Sequence, residues 1–190
     1  APTPAVAAVD PARRAAIAGL LRSGTAAPVT TSAGRLFDAV AALCGLRAEV
    51  TYEGQAAIEL EAACDPAERG AYPLPVTVRD GALLLDARAS VAATAADVRA
   101  GVATGRIAAR FHHGLADATA AACARIAAER RLDTVVLSGG VFQNLVLLAR
   151  TRRRLAVAGL RVLVPRRLPA NDGGIAFGQA AVAAARTAEG

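Results

Sequence analysis

Tryptophan, methionine and lysine are missing from this chain of 190 residues, and only six residues, two Tyr and four Phe, are aromatic. So few rings leave no stacking platform for unpaired bases, and the net charge of +6 is therefore not read as a nucleic-acid footprint. The 22 basic residues are all Arg and scatter along the chain. Arg152, Arg153 and Arg154 form the one run of three, and Arg166-Arg167, like Arg13-Arg14 and Arg130-Arg131, is a pair. Cysteine is sparse too. Cys44, Cys64 and Cys123 are far apart with no C-x-x-C spacing, which excludes a cysteine zinc site and a disulfide framework. Three isolated cysteines fit small buried apolar residues in a reducing cytosol, so a cytoplasmic location is expected. No apolar run approaches the length of a membrane span, and A-P-T-P-A-V-A-A at the start lacks the basic flank and long apolar stretch of a signal peptide. Neither a membrane nor a nucleic acid is expected as a partner. The start at Ala1 rather than Met fits a piece of a longer polypeptide.

Catalytic constellations are equally scarce. Adjacent His112 and His113 would point about 100° apart on a helix and cannot easily share a metal, so a core or helix-start role is expected. Glu59 and Glu61, two apart on a helix, do not face each other. No Gly-x-Ser-x-Gly elbow and no Cys/His pair marks a nucleophile.

What is present is apolar and small. Apolar residues make up 54% of the chain, about half of them Ala, so the core must rest on few large side chains and closely approaching helices. Residues 1–9 read as a disordered lead-in. Asp10-Pro11 fits the N-cap and first position of a helix to about residue 21. Leu36, Phe37, Val40 and Leu43 recur at helical spacing over 34–46, and a second helix is expected over 52–64 with Ile58 and Leu60 buried. Asp80-Gly81 between apolar runs predicts a hairpin. Helices follow over about 89–100 and 106–130. Then come a strand at 134–137 buried on both faces, a helix over 141–157, a second buried strand at 160–164 and a helix over 174–186. Strand, helix, strand, helix at this spacing implies a parallel α/β unit, either a single domain or half of a larger one.

Two glycine turns carry the chemistry. V-V-L-S-G-G-V-F-Q-N (135–144) runs from a strand into a Ser-Gly-Gly turn and a helix bearing Asn144 on its first turn. Glycines there admit close backbone approach, and a helix start favours a phosphate. P-A-N-D-G-G-I-A-F-G-Q-A (169–180) presents Asp172 at the start of another helix. A carboxylate in that place either holds a cation or caps the helix.

Four ordered segments, T-S-A-G-R-L-F-D-A-V-A-A-L-C-G-L (31–46), T-Y-E-G-Q-A-A-I-E-L-E (51–61), F-H-H-G-L-A-D-A (111–118) and the two glycine turns, resemble the HypF carbamoyltransferases of [NiFe] hydrogenase maturation. The resemblance spans about residues 25–185. It implies an α/β fold, half of an actin/hexokinase/Hsp70-like (ribonuclease H-like) two-lobed domain similar to the threonylcarbamoyl transferases. Residues 1–24 would be a lead-in and helix, and 25–190 the C-terminal lobe. The implied function uses ATP and carbamoyl phosphate to form a carbamoyl-adenylate, whose carbamoyl group passes to the C-terminal cysteine of a HypE-type partner. By motif, Asp38 would contact the ribose and Gly54 would line the same pocket. Gly139, Gly140 and Asn144 would hold the nucleotide from the other side, and Asp172 would be a ligand of a divalent metal, Mg, Fe or Zn. The H-x-x-x-H pair of the family's metal site is missing, as are its acylphosphatase-like, zinc-finger and adenylate-forming domains, and Ala33 stands where the family shows a second serine. The isolated chain is therefore expected to be inactive. An O-carbamoyltransferase of natural-product biosynthesis and an inactive nucleotide-binding fragment are the alternatives.

Overall fold

The computed structural model describes residues 2–188. The chain divides into two compact units, Ala1–Ala118 and Thr119–Gly190.

The first unit holds α1 (Pro4–Ala7), α2 (Pro11–Ser23), α3 (Ala33–Leu43), α4 (Gln55–Ala62), the hairpin β1 (Val76–Arg79) and β2 (Ala82–Leu85), α5 (Arg88–Arg99), and the first part of α6 (Thr104–Arg130). Asp10 caps α2 by accepting from the Ala12 and Arg13 N–H groups, and Gly24 ends it in the left-handed conformation. The lead-in expected to be disordered instead forms the single turn α1, with Thr3 buried and α1 packed on α3. Helix α4 is shorter than its apolar pattern suggests. Gly54 sits at its N-cap with φ +81°, so Tyr52 lies in the preceding loop. Ile58, expected inside, is 53% exposed, while Leu60 is fully buried. Buried α4 residues cluster at Gln55, Ala56 and Leu60, four apart, and Ile58 falls on the opposite face. Asp80 and Gly81 both have positive φ, which closes the expected two-residue hairpin.

Phe37 and Phe111 meet edge to face, ring centroids 5.0 Å apart, with Val40, Leu60 and Ile107 buried beside them. Segment 63–75 runs along α6 at backbone distance. Asp65 N–H donates to the Gly105 carbonyl, and Tyr72 N–H to that of Arg110. This approach requires glycine on the helix. A Cβ at Gly105 would stand 2.8 Å from the Ala63 carbonyl oxygen, and one at Gly114 2.3 Å from that of Tyr72. Charges lock the same seam. Glu68 accepts from Gly70 N–H, Arg69 N–H, Arg106 and Arg110, and these donors hold its carboxyl at about 2. Arg110 and the Tyr72 hydroxyl both donate to Asp97.

The second unit contains the rest of α6, β3 (Thr134–Val136), a 3₁₀ turn at Gly140–Gln143, α7 (Leu145–Val157), β4 (Arg161–Leu163), a 3₁₀ turn at Asp172–Gly174, and α8 (Ile175–Ala188). Strands β3 and β4 pair in parallel as expected, Val135 opposite Val162 and Val136 opposite Leu163. Alternation along the strands turns Val135 and Val162 onto a core of Ala120, Leu137 and Leu155. Burial on both faces does not hold. Val136 is 63% and Leu163 45% exposed, because α6 and α7 cover one side and no described residue of this unit buries the other. Helix α8 likewise buries none of its residues.

Gly114→Ala should destabilise the chain by about 1–3 kcal/mol or more, because backbone rather than a movable side chain fills the site. Urea unfolding measures this. A midpoint equal to that of the parent chain would show that segment 63–75 does not press on α6.

Candidate nucleotide-binding site

The expected ribose residues, Asp38 and Gly54, come together. Both line one open cleft of about 590 Å³ with Ser32, Arg35, Thr51 and Tyr52. Ser32 caps α3 by accepting from Arg35 N–H, which starts the helix so that Arg35 and Asp38 are one turn apart. Their side chains pair at 2.9 Å, with Asp38 28% exposed. Gly54 has nothing within 4 Å of where a Cβ would stand, so backbone conformation, not crowding, demands glycine there.

A relay that the sequence did not reveal holds the lip of this cleft. Buried Gln55 accepts from Thr51 N–H at 2.8 Å and from the Thr51 hydroxyl at 3.2 Å. Its amide nitrogen donates to Glu59, and Arg47 Nε donates to both Glu59 oxygens at 2.8 and 2.9 Å. The Arg47 guanidinium, foremost, lowers the Glu59 pKa. The spacing Gln55–Glu59, one helical turn, was visible. The return contacts from Thr51 and Arg47 depend on loop geometry and were not.

In the second unit the two glycine turns are stitched side by side. Gly139 N–H donates to the Ala170 carbonyl at 2.7 Å, the Ser138 hydroxyl reaches the same oxygen at 3.4 Å, and Asn171 Nδ2 donates to Gln143 at 3.4 Å. Gly139 has φ +96°, in the region that favours glycine. The helix expected over 141–157 is broken. Gly140 opens a four-residue 3₁₀ turn, and α7 begins only after Asn144, which is extended. Asn144 is the N-cap of α7 and is buried; its side-chain oxygen accepts from Leu147 N–H at 2.8 Å. That oxygen is committed to the helix, so its reach toward a ligand is narrower than a first-turn amide implies.

Asp172 resolves the opposite way. Asn171 performs the capping, accepting from Gly173 N–H at 3.1 Å, and among the described residues nothing hydrogen-bonds or pairs with the exposed Asp172 carboxylate. Gly174 is required by contact, since a Cβ there would meet the Pro169 carbonyl oxygen at 2.8 Å. The described residues contain no group of three His, Cys, Asp or Glu side chains able to hold a metal. This donor set does not by itself fit a metal ion, and Asp172 offers a single ligand.

His112 belongs to the core, as expected. It is fully buried, edge-on to Phe37 at 5.1 Å, and its Nδ1 lies 2.8 Å from the Ala108 carbonyl, an acceptor that assigns the proton to Nδ1. Cys64 Sγ lies 3.3 Å from the same nitrogen, a Cys/His neighbourhood formed across 48 residues that the sequence did not suggest. Burial pushes the Cys64 thiol up to about 12 and His112 down to about 4. Both shifts oppose a thiolate–imidazolium pair, so this is packing and not a nucleophile.

Residues 2–179 match the family described as carbamoyltransferase, Kae1-like domain, second subdomain. The chain belongs to the HypF carbamoyltransferase family. It is 44% identical over 154 residues to carbamoyltransferase HypF of Synechocystis sp., covering 80% of this chain and 19% of that one. It is 42% identical over 171 residues to HypF of Rhodobacter capsulatus, covering 88% and 21%. A crystal structure of full-length HypF in the phosphate- and nucleotide-bound form superposes with a TM-score of 0.88 at 36% identity, over 94% of this chain and 24% of that one. HypF of T. kodakarensis shares the fold, with a TM-score of 0.80. The chain thus spans about a fifth of the length of these two HypF relatives. No helix among the described residues is long and apolar enough to cross a membrane.

Gln55→Ala should speed hydrogen exchange of the Thr51 amide several-fold, on the order of 1 kcal/mol for one lost acceptor. The Leu60 amide should keep its protection. Equal rates at Thr51 in both proteins would remove Gln55 from the lip.

Proposed function

We propose that this chain supplies part of a HypF nucleotide cleft, one lobe of an actin/hexokinase/Hsp70-like domain. In the longer protein it serves carbamoyl transfer from carbamoyl phosphate, through carbamoyl-adenylate formed with ATP, to the C-terminal cysteine of a HypE-type acceptor. The observation that carries this reading is the convergence of Asp38 and Gly54, on separate elements, at one cleft. A ribose presents two adjacent hydroxyls, and an ionised carboxylate is an acceptor-only group able to take both. Arg35 holds Asp38 until those hydroxyls replace it. The absent side chain at Gly54, with nothing within 4 Å of where a Cβ would stand, leaves space in the cleft for the sugar. Nucleotide bound in the related full-length HypF supports the same ligand here.

The second unit's part follows from its turns. Gly139 spends its N–H on Ala170 and Asn144 its side-chain oxygen on Leu147 N–H, so a phosphate contact within this unit falls to the 3₁₀ turn beginning at Gly140. Asp172 adds an uncommitted negative charge, suited to one position on a divalent cation whose other ligands come from elsewhere in the protein. In the transfer step the acceptor thiolate forms a C–S bond with the carbamoyl carbon, the acyl–phosphate C–O bond breaks, and AMP leaves.

In full-length HypF carrying this segment, Asp38→Asn should raise KM for ATP at least tenfold in transfer to the HypE acceptor while leaving the fold intact, since a charged acceptor for two hydroxyls is lost. An unchanged KM would overturn the ribose role.

A further inference from the structure

The arginine runs singled out in the sequence play no part in the nucleotide reading, yet the fold gathers members of both. Arg152 from α7 and Arg166 and Arg167 from the segment after β4 line one cleft of about 480 Å³. Its remaining wall is apolar, with Leu163, Val164 and Leu168 among the lining residues. Leu163 and Leu168 are substantially exposed. Among the described residues no acceptor engages any of the three guanidinium groups. Some arginines of the chain do pair with carboxylates, as at Arg47–Glu59, Arg106–Glu68 and Arg110–Asp97. Three like charges beside exposed apolar carbon repel one another and leave the negative charge to be brought from outside. The backbone adds a third feature. Among the described residues β4 pairs with β3 alone, so its other edge presents N–H and C=O groups with no described strand beside them.

We propose that this cleft is a docking site for an extended acidic peptide segment of a partner protein. The segment adds along the open edge of β4, seats an apolar side chain against Leu163, Val164 and Leu168, and places carboxylates on Arg152, Arg166 and Arg167. Edge addition supplies affinity through the main chain, and alternate side chains supply selectivity. The apolar wall favours a peptide over inorganic phosphate, which would leave it open to water, and guanidinium with apolar contact is the composition that marks protein interfaces. A nucleic-acid strand is disfavoured because the cleft holds no aromatic ring on which a base can stack. The proposal is independent of the nucleotide cleft.

The test is fluorescence anisotropy with the 190-residue chain and three labelled probes, a hexapeptide alternating Glu and Leu, its Lys/Leu counterpart, and a single-stranded hexanucleotide. The Glu/Leu peptide alone should bind. The triple variant Arg152→Glu, Arg166→Glu, Arg167→Glu should weaken it at least tenfold. A control of identical net charge, Arg99→Glu, Arg130→Glu, Arg186→Glu, should leave it within twofold of the parent. Should charge reversal disturb folding by circular dichroism, the triple Gln variant replaces it with the same expected loss. Equal weakening by both triples would show diffuse attraction and overturn the site. Absence of Glu/Leu binding would overturn it as well, and tighter binding of the hexanucleotide through the same arginines would overturn the peptide class.

Discussion

Backbone pressed against backbone is the constraint on which the first unit depends. With no tryptophan or methionine and an alanine-rich interior, the unit cannot fill wide gaps with large side chains. It closes them, through Gly105 and Gly114 on α6, by bringing segment 63–75 into direct contact with the helix. Once the segment lies there, Glu68 reaches Arg106 and Arg110, Tyr72 reaches Asp97, and His113 Nδ1 meets the Gly70 carbonyl. The few large rings, Phe37 and Phe111, then concentrate at one point with His112. The same economy recurs in the second unit, where Gly174 admits the Pro169 carbonyl and so draws the Asp172 turn tight.

Much of this was legible because the signals were local. Asp10-Pro11, Asp80-Gly81 and the 3.6-residue spacing of α3 each act within a few residues, and each gave the expected element. What escaped depended on distant neighbours. Val136 and Leu163 read as buried because β-branched and aliphatic runs do not record how many faces are covered. Ile58 lies outside the core because the face set by Gln55, Ala56 and Leu60 turns it outward. At the candidate site the motif positions Asp38 and Gly54 line one cleft. The Arg47–Glu59–Gln55–Thr51 relay and the division of labour between Asn171 and Asp172 appeared only in three dimensions. Capping is a choice among neighbouring acceptors, and residue identity alone leaves it open.

Function in this account rests on complementary commitments. Asn144 spends its oxygen on α7, Asn171 caps the second turn, and Gly139 ties the turns together. These bonds fix the frame and leave the Asp172 carboxylate disengaged. In the first unit Asp38 is partly sheltered and paired with a single arginine, while Gln55 holds Thr51 at the lip of the same cleft. Rigid surroundings around one replaceable ion pair suit a site that trades an internal contact for a ligand.

The central claim, that Asp38 recognises the two hydroxyls of a ribose, is tested most directly by amide NMR of the chain titrated in parallel with adenosine and with 2′,3′-dideoxyadenosine. Adenosine should shift the Gly34, Asp38 and Thr51–Gly54 amides, and the dideoxy compound should leave them in place. Equal shifts from both compounds, or adenosine shifts confined to other residues, would contradict it.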